Sequence, residues 1–571
     1  MRSLAQGGGH PLKHSKLIGF TAALLMASSV ATLVHAQAGL KEEYATYEGG
    51  PLLLDEDNGQ FGAAQNANEV QAPIYGGNPN AGGGGPVVAL SFEGISQYDV
   101  AGVQRNFIPP DTQGAIGKTQ FMEIVNGGVA VFDKATGTRL SFQSDLSFWA
   151  GAGKPGTQGD PRILYNKDAD RWIALSFGAS VADIQIAVSD TSNALGGWKS
   201  TIFTGNVGGF ADYPTLAMDK NAIYIGTNNF SGAAGNPYQG TTMNIIPLSN
   251  LFSAGAPNVS GLVQFRQDFT GIASDGFALQ GVNSEAAGTT GKIIAVSGVA
   301  NALTRYNVAN AGTPGATMTV VTTGIGSDYK SNGLGRQPYT TGVGNPRVID
   351  TLDDRIGASA WEVSGRIYSV HTITKLGTDF TVVRYSIIDS ITGALLDEGE
   401  IGDATHDYFE GSLAVNASGQ VVIAYNRSGS SAIDGKVSFL ARAFSTDGTG
   451  KLQALGSEML LHVSDTDSYH NGSVFGQAAA GRQRWGDYSA VTIDPLNSQN
   501  FWAIGEFARE FNNAAGGHPG GTGGSRWGTW IAQINLPGAG GAVPEPATWA
   551  MMILGFGLVG VAARRRRVTQ A

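Results

Sequence analysis

The chain has 571 residues, of which 42% are hydrophobic and 14% are charged, and its formal net charge is −10. It has no cysteine, which excludes disulfides, thiolate metal sites and a cysteine nucleophile. So acidic a chain is a poor match for nucleic acid, because phosphate contacts require lysine and arginine. The 83 glycines and the low charge favour short strands joined by tight turns over long amphipathic helices.

The first 36 residues have the pattern of a secretory signal peptide. Lys13 and Lys16 precede an apolar run that ends in small residues at Ala36. We therefore predict a signal peptide over 1–36 that is cleaved after Ala36. Cleavage after Ala38 and a retained membrane anchor are the alternatives.

A flexible linker and a repetitive body follow the signal peptide. Residues 37–85 are rich in Gly, Asn and Ala without periodicity, which is typical of a linker. Over 86–537 a unit recurs in which an acidic residue opens an apolar strand, a polar turn follows, and a second apolar strand comes next. Spacings of 49 to 78 residues separate the recurring acids, which are Asp111, Asp160, Asp212, Asp275, Asp353, Glu410 and Asp487.

Repeats of this length can each hold the four antiparallel strands of a propeller blade. We predict an all-β fold, a β-propeller of seven blades over 86–537, with a short linker at 538–543. A β-sandwich array is the alternative. Because a ring must join its two ends, segments 87–92 and 526–536 should share one blade.

The body resembles a set of exported propeller proteins. The motifs that carry the resemblance are Asp111-Thr112-Gln113-Gly114, Gly159-Asp160-Pro161, Asp212-Tyr213-Pro214 and Arg484-Trp485-Gly486-Asp487-Tyr488. The segment AVSDTSNALGGW, which begins at Ala187, is similar to the outer hairpin of sialidase-type blades. The resemblance implies a sialidase-like β-propeller but no activity, because the Ser-x-Asp-x-Gly-x-Thr-Trp box is nowhere intact.

The recurring acids are the candidate binding residues. Equivalent residues at the start of each inner strand lie at one height of a propeller, so a ring at one channel mouth is expected from Asp111, Asp160, Asp212, Glu410 and Asp487. Such a ring could hold a cation or the hydroxyls of a glycan. Alternatively, each acid accepts hydrogen bonds from turn amides or pairs with an arginine. We predict no cofactor and no dedicated metal site, and calcium is the candidate ligand if the ring binds a cation.

No standard catalytic motif is present, since the chain has neither G-x-S-x-G nor H-E-x-x-H. A sialidase-like site would need an arginine cluster and a Tyr–Glu pair, for which the candidates are Arg162, Arg347, Arg484, Tyr488 and Glu506. Such candidates arise by chance among 46 acidic residues and 17 tyrosines. We therefore predict a non-catalytic, glycan-binding protein. A propeller glycan hydrolase or lyase that acts on extracellular polysaccharide is the alternative.

The tail over 544–567 has three parts. Pro544, Glu545 and Pro546 come first, an apolar run beginning at Trp549 follows, and a cluster of basic residues ends it, namely Arg564, Arg565, Arg566 and Arg567. This order predicts a single transmembrane helix with its arginines on the cytoplasmic side.

The tail resembles the PEP-CTERM sorting signal of Gram-negative bacteria, and an ordinary tail anchor is the alternative. The resemblance implies processing by exosortase, a membrane-embedded cysteine transpeptidase, and a link to exopolysaccharide and biofilm. We expect an exported protein that is membrane-anchored before processing and then resides in the cell envelope, on the surface or outside the cell. The expected partners are the exosortase-like enzyme, the membrane and extracellular polysaccharide.

Overall fold

The computed structural model describes residues 75–76, 85–103, 107–156, 159–231, 238–253, 255–268, 276–296, 302–330, 333–338, 347–466, 469, 481–511 and 525–538. The signal peptide, most of the linker and the C-terminal tail lie outside the described residues. Within them, nearly all regular structure is β-strand. Short helices occur at α1 (Gln97–Val103), α2 (Asp145–Gly151) and α3 (Leu248–Leu251).

The described chain begins with β1 (Tyr75–Gly76) and β2 (Val87–Ser96). Three blades then follow in chain order, each an antiparallel sheet. The first blade contains β3 (Gln113–Ile116), β4 (Gln120–Val125), β5 (Gly128–Asp133) and β6 (Arg139–Ser144). The second blade contains β7 (Arg162–Asn166), β8 (Arg171–Phe177), β9 (Asp183–Ser189) and β10 (Trp198–Thr204). The third blade contains β11 (Phe210–Asp212), β12 (Ala217–Met218), β13 (Ala222–Phe230), β14 (Tyr238–Pro247) and β15 (Val263–Asp268).

An eight-stranded sheet comes next, and we call it the double sheet. Its first half contains β16 (Phe277–Ser284), β17 (Gly291–Val296), β18 (Leu303–Ala309) and β19 (Thr317–Ile325). Two short strands, β20 (Leu334–Gly335) and β21 (Arg347–Asp350), precede its second half. That half contains β22 (Ala360–Val363), β23 (Arg366–Thr374), β24 (Thr381–Asp389) and β25 (Leu395–Ile401). Strands β16 and β22 join the halves by parallel pairing, with Asn283 opposite Trp361.

Two further blades complete the body. The fourth blade contains β26 (His406–Val415), β27 (Gln420–Gly429), β28 (Ser438–Thr446), β29 (Leu452–Ala454) and β30 (Met459–Val463). Strand β31 (Gly481–Gln483) pairs with β21 in a small separate sheet with β20. The closing blade contains β32 (Ala490–Ile493), β33 (Asn500–Phe511) and β34 (Ser525–Asn535), together with β2 and β1.

The all-β class and the propeller arrangement are confirmed, but seven separate blades are not. The described strands form five separate blades plus the double sheet. The physical reason is the parallel pairing of β16 with β22, which merges two repeats that the sequence pattern presents as independent units.

The predicted closure of the ring is confirmed. Strand β2 pairs antiparallel with β34, with Val88 opposite Ile534 and Phe92 opposite Ile531. The side chain of Phe92 is fully buried, and its ring centroid lies 5.3 Å from that of Phe132 in the first blade. The first strand of the body therefore serves as the outer strand of the last blade.

Hydrogen bonds to a side chain of the first blade also stabilise this closure. Glu123 on β4 is fully buried and accepts hydrogen bonds from the amide of Ile95 (2.9 Å) and the hydroxyl of Thr529 (2.5 Å). These two residues belong to β2 and β34, so one carboxyl group contacts both strands of the closing pair. Gly94 allows the close approach, because a Cβ there would lie 2.3 Å from Oγ1 of Thr529.

The outer hairpins share a turn that the sequence dictates. In the β5–β6 turn, Oδ1 of Asp133 accepts hydrogen bonds from the amides of Ala135 and Thr136. Gly137 then supplies a positive φ of 73°. The same Asp–Thr–Gly chemistry closes the β24–β25 and β28–β29 turns, beginning at Asp389 and Asp447. This turn lacks the complete sialidase box, and the specifically sialidase-like nature of the body is not confirmed.

Candidate functional site

The two ends of the propeller axis differ in chemistry. The innermost strands of the blades and the double sheet are β3, β7, β12, β16, β22, β26 and β32. Each of these strands begins near one end of the propeller axis and ends near the other. Among the described recurring acids, five precede these strands and Glu410 lies within β26 (His406–Val415). A wide cavity lies at the opposite end, where the strands finish.

The acidic end gathers six carboxyl side chains, which we call the axial acid cluster: Asp111, Asp160, Asp212, Glu410, Asp487 and Glu506. The first five are the residues predicted to ring a channel mouth. All except Asp487 are buried, and the side chain of Asp487 is 13% exposed. Asp111, Asp160 and Glu410 share a backbone φ of 51° to 52°, which non-glycine residues seldom adopt.

Most direct contacts of the cluster join one blade to another. Asp111 accepts a hydrogen bond from the amide of Asp487 (3.1 Å), and Asp160 accepts one from the amide of Tyr213 (3.2 Å). Glu506 accepts a hydrogen bond from the hydroxyl of Thr112 (2.9 Å). These contacts give the acids a structural role between blades, so ligand binding at this ring stays a prediction.

Arginine and tyrosine side chains surround the cluster. Arg484 forms ion pairs with Asp487 (2.8 Å) and Asp350 (3.2 Å). The guanidinium of Arg162 lies 3.4 Å from the ring centroid of Tyr488 and donates to the carbonyl of Pro214. Four of the five residues suggested for a catalytic site are thus near the axis, but they are buried. The side chain of the fifth, Arg347, lies outside what is described.

Burial and mutual repulsion perturb the cluster electrostatically. Burial, with the charges of Asp487 and Asp160, raises the pKa of Asp111 well above its ordinary value. Burial and the charge of Asp487 raise the pKa of Asp160 to about 7. The pKa of Glu410 and the pKa of Glu506 also shift upward, chiefly through burial. Each of these four carboxyl groups therefore holds its proton to a higher pH than an exposed carboxyl group does.

The two glutamates of the cluster face each other across Gly486. A Cβ on Gly486 would lie 2.4 Å from Oε1 of Glu506 and 2.7 Å from Oε1 of Glu410. Any side chain at residue 486 would displace one of these carboxyl groups. No three Asp, Glu, His or Cys side chains within the described ranges are arranged to hold a metal ion.

The remaining sequence-based site residues lie elsewhere. Asp353 forms a buried ion pair with Arg355 (2.6 Å) and does not belong to the cluster contacts given above. Asp275 is outside the described residues, as are the signal cleavage residue Ala36 and the residues of the sorting signal, which are Pro544, Glu545, Pro546, Trp549, Arg564, Arg565, Arg566 and Arg567.

The opposite end of the axis holds an open cavity of about 780 Å³, which we call the funnel. This volume is within the range of small-molecule binding sites. Its wall comes from the turns that end the inner strands of the second, third, fourth and closing blades and of both halves of the double sheet. Trp361 lines both the funnel and a deeper cavity of about 20 Å³ along the axis.

Each charged side chain that lines the funnel forms an ion pair or a hydrogen bond with another residue. Lys220 pairs with Asp168 (2.7 Å), and Lys167 pairs with Glu285 (2.5 Å). The other lining carboxylates are also held: Glu362 by Lys292 (2.8 Å), Asp494 by Lys134 (2.6 Å), and Asp219 by the hydroxyl of Tyr224 (2.6 Å). Most of these pairs bridge different blades, so they also hold the funnel wall together.

Sequence reasoning missed the funnel, although a signal for it exists. The inner strands end in an apolar residue followed by Asn, Asp or Glu, as in Tyr165-Asn166, Met218-Asp219, Val282-Asn283, Trp361-Glu362, Val415-Asn416 and Ile493-Asp494. In four of these pairs the Asn or Asp Oδ1 accepts hydrogen bonds from amides of the following turn. This repeated pair places successive strand ends at the same height.

One family model matches the chain. Residues 542–567 match the PEP-CTERM protein-sorting motif, which implies an exported protein that an exosortase-type enzyme processes. The described part of the chain contains no helix long and apolar enough to cross a membrane, and the predicted membrane segment lies outside that part.

Solved structures similar to this chain include several propeller enzymes. A lignostilbene dioxygenase from Pseudomonas brassicacearum has 11% identity and a TM-score of 0.38, covering 68% of this chain and 93% of its own. An endo-arabinase from Bacteroides thetaiotaomicron has 11% identity and a TM-score of 0.28, covering 54% of this chain and 95% of its own. Likenesses this low carry no argument about activity. The comparison with functionally curated proteins gives no match, and the motif at 542–567 implies that this chain is exported and sorted by an exosortase-type enzyme.

Proposed function

We propose that this protein is a non-catalytic, glycan-binding propeller of the cell surface or extracellular matrix, and that the funnel is its binding site. One observation carries the proposal: the funnel is an open cavity of about 780 Å³ with three aromatic residues in its wall. The acid ring that the sequence favours is mostly buried, so we move the expected glycan contact to the other end of the axis.

A blocked funnel tests this assignment. Ala417 is exposed and lines the funnel, so Ala417→Trp should place a bulky indole in the cavity and obstruct it without disturbing the core. We expect wild-type protein to retain oligosaccharides on a glycan array and this variant to lose them. Ala432→Trp is the matched control, because Ala432 is also exposed but lies in the β27–β28 loop away from the funnel. Binding that survives in Ala417→Trp would contradict the proposed site.

The sorting route forms the second part of the proposal. In this part of the proposal, the signal peptide directs export and is cleaved after Ala36. The membrane helix from Trp549 and the arginines that follow it hold the protein in the membrane until processing releases it. The sorting route and the glycan-binding funnel both favour extracellular polysaccharide as the partner of this protein.

Glu545→Ala should leave a full-length, membrane-retained protein. The reason is that Pro544, Glu545 and Pro546 are proposed to direct the processing enzyme, whereas the apolar helix and the arginines would still hold the tail in the membrane. Immunoblots of membrane and released fractions measure the outcome. If the variant yields mature protein of wild-type size and location, the sorting proposal is wrong.

A glycan hydrolase or lyase is the second candidate, and one observation favours it. Glu410 and Glu506 approach each other across Gly486 in the manner of a carboxyl pair, and glycosidases use two such groups. The burial of both argues against substrate access. Glycan release by wild-type protein that Glu506→Gln abolishes would establish this candidate in place of the first.

A seven-bladed ring also belongs to this proposal. Each half of the double sheet contains four strands in antiparallel order, as a blade does. Counting the halves as two blades that pair through β16 and β22 gives one blade for each of the seven recurring acids. An experimental structure in which either half lacks its own inner strand would refute this count.

A further inference from the structure

We infer that the funnel selects uncharged saccharides over acidic ones, with Trp361 as the surface on which a sugar ring stacks. The inference rests on the proposed function and adds the chemical class of the ligand. Three features of the funnel carry it: its charge balance, the engagement of its lysines and the position of its indole.

The charge balance disfavours an anionic ligand. Two lysines line the funnel against five carboxylates, which are those of Asp168, Asp219, Glu285, Glu362 and Asp494. Lys292 and Lys134 pair with two of these carboxylates from outside the lining, so the funnel wall retains an excess of one negative charge. No arginine is among the described lining residues. A uronate or sulfate group would therefore enter a surface of its own sign without the bidentate partner that such anions favour.

The two lysines are also already paired. Lys167 and Lys220 contact Glu285 and Asp168 at 2.5 Å and 2.7 Å. An acidic sugar that recruited either lysine would leave a carboxylate without its partner inside the funnel. Hydroxyl groups avoid this conflict, because a hydroxyl can donate to a paired carboxylate and accept from a paired ammonium group at the same time.

Three aromatic residues, Tyr165, Phe252 and Trp361, line the funnel, and of these Trp361 also lines the deeper cavity. Trp361 is partly exposed and lies where the funnel meets the deeper axial cavity. Met218, Val415 and Ile493 also line the funnel, so polar turns alternate with apolar strand ends around it. Such a mixture suits a sugar ring, which presents C–H groups on its faces and hydroxyls at its edge.

The test compares matched oligosaccharides by titration calorimetry with the purified protein. The probes are uncharged glucose or galactose oligomers and galacturonate oligomers of equal length. We expect binding of at least one uncharged series and binding of galacturonates that is at least about tenfold weaker. Trp361→Ala should weaken binding about tenfold or more, as loss of a central aromatic contact does, and Trp361→Phe should restore most of it.

A charge variant separates selectivity from binding. Asp168→Asn combined with Glu285→Gln releases both lysines and should raise the affinity for galacturonates relative to the affinity for uncharged oligomers by about tenfold. Tighter binding of galacturonates by the wild type would overturn the inference but not the funnel. Binding that Ala417→Trp leaves intact, or no binding of either series, would instead overturn the proposed function. Thermal melting of every variant confirms that each one is folded.

Discussion

Removal of β2 should unfold the entire ring and not the closing blade alone. Strand β2 is the outer partner of β34, and without it β34 would present an open sheet edge. The first and last blades would also lose the buried contacts that Phe92 makes with Phe132 and Trp502. We expect a deletion of residues 87–96 to abolish the cooperative melting transition measured by circular dichroism.

A single substitution in β2 should cause a smaller loss of stability for the same reason. Phe92→Ala should lower the free energy of unfolding by about 3–5 kcal/mol, as is typical for a large aromatic removed from a core. Ile433→Ala is the control, because Ile433 is 96% exposed and should change stability little. A peptide covering residues 85–97, added in trans to the deletion protein, should restore part of the transition. A deletion protein that melts like wild type would show that β2 does not close the ring.

The second large effect concerns pH. The axial acid cluster should make the folded protein less stable as pH rises from about 4 to 8. In the unfolded chain these groups ionise near pH 4, whereas burial raises the pKa of Asp160 in the fold to about 7. Between these values the folded state binds more protons than the unfolded state, so stability falls with rising pH. The slope amounts to at most about 1.4 kcal/mol per pH unit for each such group.

Asp160→Asn should flatten this slope, because asparagine keeps an oxygen that can accept from the amide of Tyr213 but does not titrate. Denaturant unfolding at pH 5, 6, 7 and 8 measures the difference. Asp379→Asn is the control, since the side chain of Asp379 is 88% exposed. Equal slopes for wild type and Asp160→Asn would contradict the raised pKa of Asp160.

The same titration series includes calcium, the candidate ligand of the acid ring. If a cation can replace the bound protons, calcium should raise the melting temperature more at pH 8 than at pH 5, because fewer carboxyl groups are protonated at pH 8. Asp160→Asn with Asp487→Asn should remove the response. A wild-type melting temperature that calcium leaves unchanged would assign the ring a purely structural role.

The sequence predicts structural features that recur in every blade, and it predicts features that follow from the residue pattern of a single strand. The recurring acids mark the inner strands because each blade needs the same turn at the same height, and Asp111, Asp160 and Glu410 adopt the same backbone conformation there. The closure is predictable because one face of the segment 526–536 is uniformly apolar. The first conclusion follows from a sequence pattern that repeats once per blade. The second follows from the alternation of apolar and polar residues along one strand.

Features set by long-range packing could not be predicted in this way. The merging of β16 with β22 depends on how two distant strands meet, and the sequence of either strand alone is compatible with a separate blade. The burial of the acid cluster depends on residues from several blades. Trp361 lies in the four-residue strand β22, and a single tryptophan in a short strand is ordinarily assigned to the core.

The position of β34 has a consequence for the order of folding. A propeller that uses its first strand to complete its last blade leaves β2 without its antiparallel partner until β34 is in place. Strand β34 ends at Asn535 and the sorting motif begins at residue 542, so the strand that closes the ring is the last described element before the motif. A chain truncated before β34 would therefore lack both the closing strand and the sorting motif, and its β2 would be unpaired.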